Sequence, residues 1–491
     1  MGLVVMAAAM ACAGEATAPL NIASRLEPFV DDYLIGKMEG KIELRLHNPI
    51  PREVAIVHDQ PWEGNNCHYH TVFQDGDIYR MYYRGTHIQF VNDKLTQAHP
   101  EVVCYAESKD GIHWTKPELG LVEFNGSKKN NLIWNGVGSH NFAPMKDANP
   151  TCAPNARYKA LGGADKSGLT AFKSADGIHW SLLGDKPVIT KGAFDSQNLA
   201  FWDSERGEYR EYHREFREGR DIMTCTSKDF LNWTEPAFLE YQGGRKTQLY
   251  TNQVTPYYRA PHIFLGFPTR YVTGLGFLTP LNERVGKAHK RYGNDYTDGG
   301  FMTSRDALRF NVWGEAFLRP GPMWEGRWLY GGNYQNWGIV ETKPEPAPAG
   351  MLPLLPADTP RELSIYATEG GWVGNANRMR RYVLRVDGFV SVQSPMVGGE
   401  MVTKPLVFEG KRLVINFGTS AAGSIRAEIQ DAQGKPIEGF SLGDCPPIHG
   451  DLIEHTVRWK NGDDVSRLAG HPVRLRFALK DADLYSIRFQ E

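Results

Sequence analysis

Apolar residues in this chain come in short runs separated by turn residues, and nowhere does a 3.6-residue period persist long enough for a long amphipathic helix. Four such runs, at residues 102–106, 169–172, 222–225 and 300–303, each lead into the same heptad, Ser-x-Asp-x-x-x-aromatic. The copies begin at Ser108, Ser174, Ser227 and Ser304 and end at Trp114, Trp180, Trp233 and Phe310. Ser and Asp side chains bond the backbone of a turn that follows them, so the heptad predicts a strand that stops in a tight turn. The aromatic is expected to be buried between neighbouring sheets. Recurrence of one unit along a chain predicts a repeat architecture.

Upstream of each turn a second strand is predicted, at residues 79–84, 158–162, 209–214 and 263–271, the first three opening Tyr-[Arg/Lys]-x-[Tyr/Leu]. A further strand precedes it at residues 70–73, 199–202 and 253–258, joined through turns such as Asp75-Gly76-Asp77. One unit is then a four-stranded antiparallel meander, the size of a propeller blade. A degenerate fifth copy is read at residues 337–341, 362–367 and 379–392. The expected fold is all-β: a five-bladed β-propeller over residues 27–393, with a closing strand from about residues 29–35 that removes an exposed sheet edge. The Pro-rich stretch 344–360 is read as a loop inside the fifth blade, because strand-like segments flank it.

From about residue 394 the pattern changes to alternating strands at 402–408, 412–417, 424–430, 452–457 and 473–479, which predicts a β-sandwich domain over 394–491. There Trp459 and the acidic pair Asp463-Asp464 suggest a sugar site or a structural calcium, although a plain packing role is preferred. No other cofactor and no metal is expected.

Composition changes the picture little. With 491 residues and a formal net charge of -2, the chain can bury more than one core and offers no electrostatic reason to bind nucleic acid or an anionic membrane. No internal run is long enough to span a bilayer, and oligomeric state is not legible. Residues 1–13 are rich in Leu, Val, Met and Ala and end in Ala11-Cys12-Ala13, which predicts a signal peptide over about residues 1–18 and a secreted or periplasmic protein. The usual basic n-region is missing. Cys12 is an alternative lipidation site, but no Leu stands three residues before it. The remaining cysteines, at 67, 104, 152, 225 and 445, are odd in number and lack Cys-x-x-Cys spacing, against a zinc site or a complete disulfide framework.

Tyr79-Arg80-Met81-Tyr82-Tyr83, the heptad at Ser108, Phe194-Asp195-Ser196-Gln197-Asn198 and a terminal sandwich together resemble the five-bladed propeller glycosidases of glycoside hydrolase families 32, 43, 68, 117 and 130. Families 32 and 43 place one acidic residue at the axial start of each of the first three blades. The chain departs from them in lacking Trp-Met-Asn-Asp-Pro, Arg-Asp-Pro and Glu-Cys motifs. What the resemblance implies is position: side chains at the five blade starts should converge on an axial funnel that holds a sugar.

Glycoside hydrolysis needs two carboxyls flanking the bond. By position Asp147 and Asp195 are the expected pair, with Glu63 (Asp59 behind it) in the first blade and Glu341 as a reserve acid. Expected sugar contacts are Trp62, His68, His70, Gln197, Asn198, Asn252, Gln253, Asn336 and Trp337, whose amides pair with hydroxyls and whose indoles stack on pyranose faces. His68 and His70, at i and i+2, share a strand face; ligand hydrogen bonding is preferred there over a metal pair, for want of a third ligand. Arg84, His213, Arg214 and Arg270 are read as ion-paired scaffold, with the rider that two of them at the funnel would indicate an anionic substituent such as a uronate or sulfate.

An exported glycoside hydrolase acting on a polysaccharide or oligosaccharide is thus expected. The alternatives are a phosphate-dependent phosphorylase, favoured by Arg or His clustering, and a non-catalytic glycan binder, favoured by the absence of a carboxyl pair about 5–10 Å apart. A sialidase has a similar turn, but its arginine triad and Tyr/Glu pair are not assignable.

Overall fold

The computed structural model describes residues 18–491 except 93, 165–166, 245–246, 325, 344–360 and 373. Nearly all of the expected signal peptide and the whole Pro-rich loop lie outside the described residues. The described residues are almost all β, with two short α-helices among them, Pro280–Ala288 and Lys290–Asn294. Among the described residues no helix is long and apolar enough to cross a membrane.

One compact unit, Arg45–Ser391, is a five-bladed propeller. Blade one runs His68–Asp75, Ile78–Gly85, Val102–Ser108, Trp114–Thr115, and blade two Ala143–Lys146, Tyr158–Gly162, Thr170–Ser174, Ser181–Leu182. Blade three is Leu199–Asp203, Glu208–Phe216, Arg220–Ser227, Ala237–Phe238; blade four is Thr255–Tyr257, Ala260–Gly266, Met302–Ser304, Arg309–Val312. The four strands named for each blade pair antiparallel as a meander, and in blade four Glu240–Gln242 adds a parallel edge strand beside Arg309–Val312.

The strand expected at 263–271 is two strands, because Pro268 lacks the N–H that a continuous ladder needs. The chain instead passes into a separate three-stranded sheet, Gln248–Leu249, Thr269–Val272 and Tyr296–Gly299, and the two helices are inserted before the last of these strands.

Blade five combines Val340–Thr342, Glu362–Glu369 and Arg378–Arg385 with Ile50–Val57 from the far end of the unit. Ile50–Val57, not the segment near residues 29–35, closes the ring. Its pairing is locked by Arg381, which is buried and binds both Glu53 and, at 2.8 Å, Glu362. The earlier segment goes elsewhere because Phe29 and Leu34 are buried in the second unit's core.

All four heptads form one turn. Ser108 Oγ accepts the Gly111 N–H at 2.9 Å, while Asp110 Oδ1 accepts those of Ile112 and His113, both at 2.8 Å, and the same pattern repeats at Ser174, Ser227 and Ser304. The tryptophans differ from expectation in being half-buried. Trp114 still reaches Tyr366 of blade five, and Trp180 reaches Tyr82 of blade one, both edge-on, whereas Trp233 packs on Phe230 of its own turn. Only Phe310 is fully buried.

The second unit, residues 18–44 with Val392–Glu491, is the β-sandwich. Its N-terminal part, residues 27–44, was expected in the propeller. Two long strands, Arg412–Asp431 and Val473–Gln490, pair along their length with a register break between Thr419 and Ser424, and Ile35–Gly40 pairs with Gly399–Thr403. Trp459 is buried and donates to Ala427 O at 3.0 Å, so it is core. Asp463 faces Arg458 and Arg412, and Asp464 accepts the Ser466 N–H, so this pair does not fit a calcium ion. Among the described residues no group of three His, Cys, Asp or Glu side chains could hold a metal.

The turns make stability depend on pH in a stated direction. Burial works to raise the Asp229 carboxyl, but hydrogen bonds from the Asn232 and Leu231 backbone, the Asn232 amide and Ser227 outweigh it and bring it from 3.8 to about 2. Asp110, Asp176 and Asp306 are held low in the same way. A depressed carboxyl contributes stability that is present above its unfolded value and lost as pH falls through its folded value. Thermal melts are therefore expected to be level above about pH 5 and to fall steeply from about pH 4 towards 2, with a shallower fall in Asp176→Asn.

Candidate functional site

The inner strands of the five blades all start at one end of the propeller, and the residues at or just ahead of those starts line a cavity of about 450 Å³. Blade one contributes Asn66, His68 and Tyr69, and His140 comes from just ahead of blade two's first strand. Asp195 stands ahead of blade three, Tyr250 ahead of blade four, and Tyr330 and Tyr334 ahead of blade five. Second strands add Arg84 and Arg214, and the inserted helix Lys290–Asn294 adds Arg291.

At the first of these positions the backbone is strained. Tyr69 has φ 58° and the ladder slips between His68 and Thr71. A non-glycine residue held there costs about 1–3 kcal/mol. The slip separates two histidines that a regular strand would put on one face. His68 enters the cavity and bonds Asn66 Oδ1 at 2.8 Å, while His70 turns away, stacks on Tyr83 and meets His58 Nε2 at 3.1 Å.

The cavity is cationic. Arg84, Arg214, Arg220 and Arg291 line it against two carboxylates, Glu101 and Asp195. Each guanidinium lies over a tyrosine: Arg84 over Tyr69 at 4.9 Å, Arg214 over Tyr250 at 5.1 Å, Arg220 over Tyr271 at 3.7 Å and Arg291 over Tyr330 at 5.4 Å. Stacking of this kind fixes the plane of the fork and leaves N–H edges for an oxyanion. Asp195 is ion-paired with Arg214, and its side chain is 56% exposed. Glu101 lies 3.3 Å from Arg84 and 2.9 Å from His140. Burial would raise its carboxyl, but the His140 hydrogen bond and the Arg84 charge hold it at about 2. His68 and His140 are pushed below the usual histidine range by burial and by Arg84, with Glu101 acting the other way on His140.

Of the residues expected from sequence, Asp195 and His68 line this cavity. Asp147 does not: it follows the last residue of Ala143–Lys146, at the strand end opposite His140, where it binds Lys159 and accepts from the Tyr209 hydroxyl at 2.7 Å. The blade start had been placed one strand length too late. Glu63 is buried between Lys116, at 2.6 Å, and the Tyr83 hydroxyl, and Glu341 is bound by Tyr258. Trp62 donates to Asn131 inside blade one at 2.6 Å.

The amides serve the axis rather than a ligand. Gln253 donates to Gln197 at 2.6 Å, and Gln197 donates to Tyr69 O at 3.1 Å. Asn198 binds Ser196 O, Asn252 binds Tyr212 O, and Asn336 binds Gly338 O. Trp337 donates to Val254 O at 2.9 Å and lines a second cavity of about 290 Å³ farther along the inner strands.

Sequence reasoning preferred Arg84 and Arg214 as ion-paired scaffold, with the funnel only as a condition, and did not name Arg220 or Arg291; the structure shows Arg84 and Arg214 ion-paired and also at the cavity, and the signal for that was present. Tyr79-Arg80-Met81-Tyr82-Tyr83-Arg84 and Tyr209-Arg210-Glu211-Tyr212-His213-Arg214 share Tyr-Arg-x-Tyr-x-Arg, and the last residue of each reaches the cavity. Arg270 and His213 are scaffold as expected, paired with Asp298 and Glu211.

No protein-family model matches the chain. Over 145 residues it is 30% identical to the uncharacterized protein Rv1502 of Mycobacterium tuberculosis, a stretch covering 29% of this chain and 40% of that protein. The chain thus spans about two fifths of the length of the curated relatives it matches. Among solved structures it is similar to the catalytic domain of a Coprinopsis cinerea GH62 α-L-arabinofuranosidase, with TM-score 0.39, 9% identity and coverage of 70% of this chain and 97% of that one. An endo-arabinase from Bacteroides thetaiotaomicron gives TM-score 0.36, 10% identity and coverage of 68% and 98%. A Bombyx mori GH32 β-fructofuranosidase gives 0.37, 10%, and coverage of 91% and 94%.

The two aspartates should separate in their effect on stability. Asp147→Asn breaks a buried ion pair and is expected to cost about 3–5 kcal/mol in denaturant melts. Asp195→Asn, at a half-exposed carboxylate, is expected to change stability by less than about 1 kcal/mol.

Proposed function

We propose that this protein acts on glycans that carry a carboxylate or sulfate, bound in the axial cavity with Asp195 against the sugar. The observation that carries the reading is the ring of four guanidinium groups, each backed by a tyrosine, around a cavity whose two carboxylates are already paired with cations. A cavity lined by four guanidinium groups and two carboxylates favours an anion. The resemblance of the sequence to propeller glycosidases supports a glycan as the rest of the ligand and cleavage of a glycosidic bond as the activity. The apolar run at residues 1–13 supports work outside the cytoplasm.

A second reading, phosphate-dependent cleavage, is favoured by the same Arg and His cluster, since inorganic phosphate fits where a base would otherwise stand.

Calorimetric titration and a cleavage screen with matched neutral, uronate-bearing and sulfated oligosaccharides, with and without phosphate, test both. The anionic sugars are expected to bind more tightly, with affinity falling as salt rises. Arg214→Gln and Arg291→Gln should each weaken binding roughly 10-fold or more, as expected for loss of a charge-assisted hydrogen bond of about 1.5–3 kcal/mol. Equal affinity for neutral and anionic sugars would reject the reading. Turnover that requires phosphate would establish the second, and binding without any cleavage a lectin-like role.

A further inference from the structure

The carboxylates that hydrolysis would need are poorly suited to give up a proton, and the hydroxyls beside them are well placed to move one. Glu101 is bound by Arg84 and His140, and Asp195 by Arg214. The cavity instead holds a chain of phenols: the Tyr250 hydroxyl is 3.4 Å from that of Tyr69 and 3.3 Å from that of Tyr330. Tyr250 lies under Arg214 and within 5.7 Å of Arg220. Arg84 and Arg214 line the same cavity as these phenols.

We propose that the cavity cleaves uronate-containing chains by β-elimination, with Tyr250 as the base and Tyr330 as the acid. The inference rests on the anionic-glycan reading above and narrows it to uronates, because only a carboxylate acidifies the hydrogen on the carbon next to it. The guanidinium groups of Arg84 and Arg214 bind the sugar carboxylate and stabilise the charge that spreads onto it as that hydrogen leaves. The Tyr250 phenolate takes the proton. The electron pair of the broken C–H bond forms a double bond to the adjacent ring carbon, whose bond to the glycosidic oxygen breaks with its pair going to oxygen. That oxygen takes the proton of the Tyr330 hydroxyl, and Tyr250 returns its newly gained proton to Tyr330 across the 3.3 Å contact. No water, phosphate or oxidant is consumed, and both tyrosines end as they began.

Tyr250 is also disposed to this role electrostatically. Burial would raise its hydroxyl, but Arg214, the hydrogen bonds of Tyr330 and Tyr69, and Arg84 together bring it below the usual tyrosine range, while burial and the neighbouring phenols push Tyr330 above it.

The test is digestion of polygalacturonate, polyglucuronate and polymannuronate by the full chain in water enriched in heavy oxygen, with products read by mass spectrometry and ultraviolet absorbance, and binding measured alongside. The expected products carry a carbon–carbon double bond conjugated to the carboxylate and no heavy oxygen. Tyr250→Phe and Tyr330→Phe should each keep the native melting temperature and polyuronate affinity but lose roughly 100-fold or more in turnover, the usual share of acid–base catalysis. Saturated products labelled with heavy oxygen would overturn elimination while leaving the anionic-glycan reading intact. Polyuronates that bind but are not cleaved would do the same, and polyuronates that do not bind would overturn both. If either Phe variant turns over at the native rate, that tyrosine's assignment is wrong.

Discussion

Closure of the ring is the constraint on which the rest of the propeller depends. Five antiparallel sheets can place their inner strand ends around one axis only if the last sheet is completed by a strand from the far end of the unit, and Ile50–Val57 does this against Arg378–Arg385. An unpaired Arg378–Arg385 would expose a row of backbone groups, and the buried Arg381 would lose Glu53, one of its two acidic partners. Closure also brings residues from distant parts of the chain, Tyr69, Tyr250 and Tyr334 among them, into one ring cluster.

Around that axis the polar residues divide by depth. Gln197, Gln253, Asn252 and Asn336 spend their amide N–H groups on backbone carbonyls and on each other, which limits the cost of burying them, while Gln253 Oε1 is left buried without a partner among the described residues. Above them the groups left over for a ligand are guanidinium and phenol. Arginine on tyrosine suits a buried cationic wall, because the ring face offsets part of the loss of water around the cation without occupying its hydrogen-bonding edge. The strained backbone at Tyr69 belongs to the same arrangement: the slipped ladder sends one ring into the cavity beneath Arg84 and diverts His70 to His58.

Carboxylates behave in the opposite way. Asp147, Glu63 and Glu341 were attractive from their place in the sequence, yet each is bonded to a neighbouring side chain away from the cavity. A buried carboxylate without a partner is costly enough that most are paired, so acidic residues near a blade start are as readily scaffold as chemistry.

What the sequence by itself determined was everything that rests on local bonding. The Ser-x-Asp heptad dictates its turn within seven residues, and the strands before it follow from apolar runs bounded by turn residues, so four blades and the sandwich were legible before any coordinates. The fifth blade was legible in its three sequential strands but not in its closing one, since neither Ile50–Val57 nor the segment near Phe29 carries a local mark of its partner; burial of Phe29 and Leu34 in the other unit's core decided between them. The site shows the same limit. Asp195 and His68 were found from position, whereas Asp147 was lost to a shift of one strand length and His70 to a single left-handed residue, errors small along the chain that reverse which end or face a side chain occupies. That Arg84, Arg214, Arg220 and Arg291 surround one cavity was decided only by tertiary structure, because two come from second strands, one from the start of blade three's third strand and one from an inserted helix, and only the closed ring makes them neighbours.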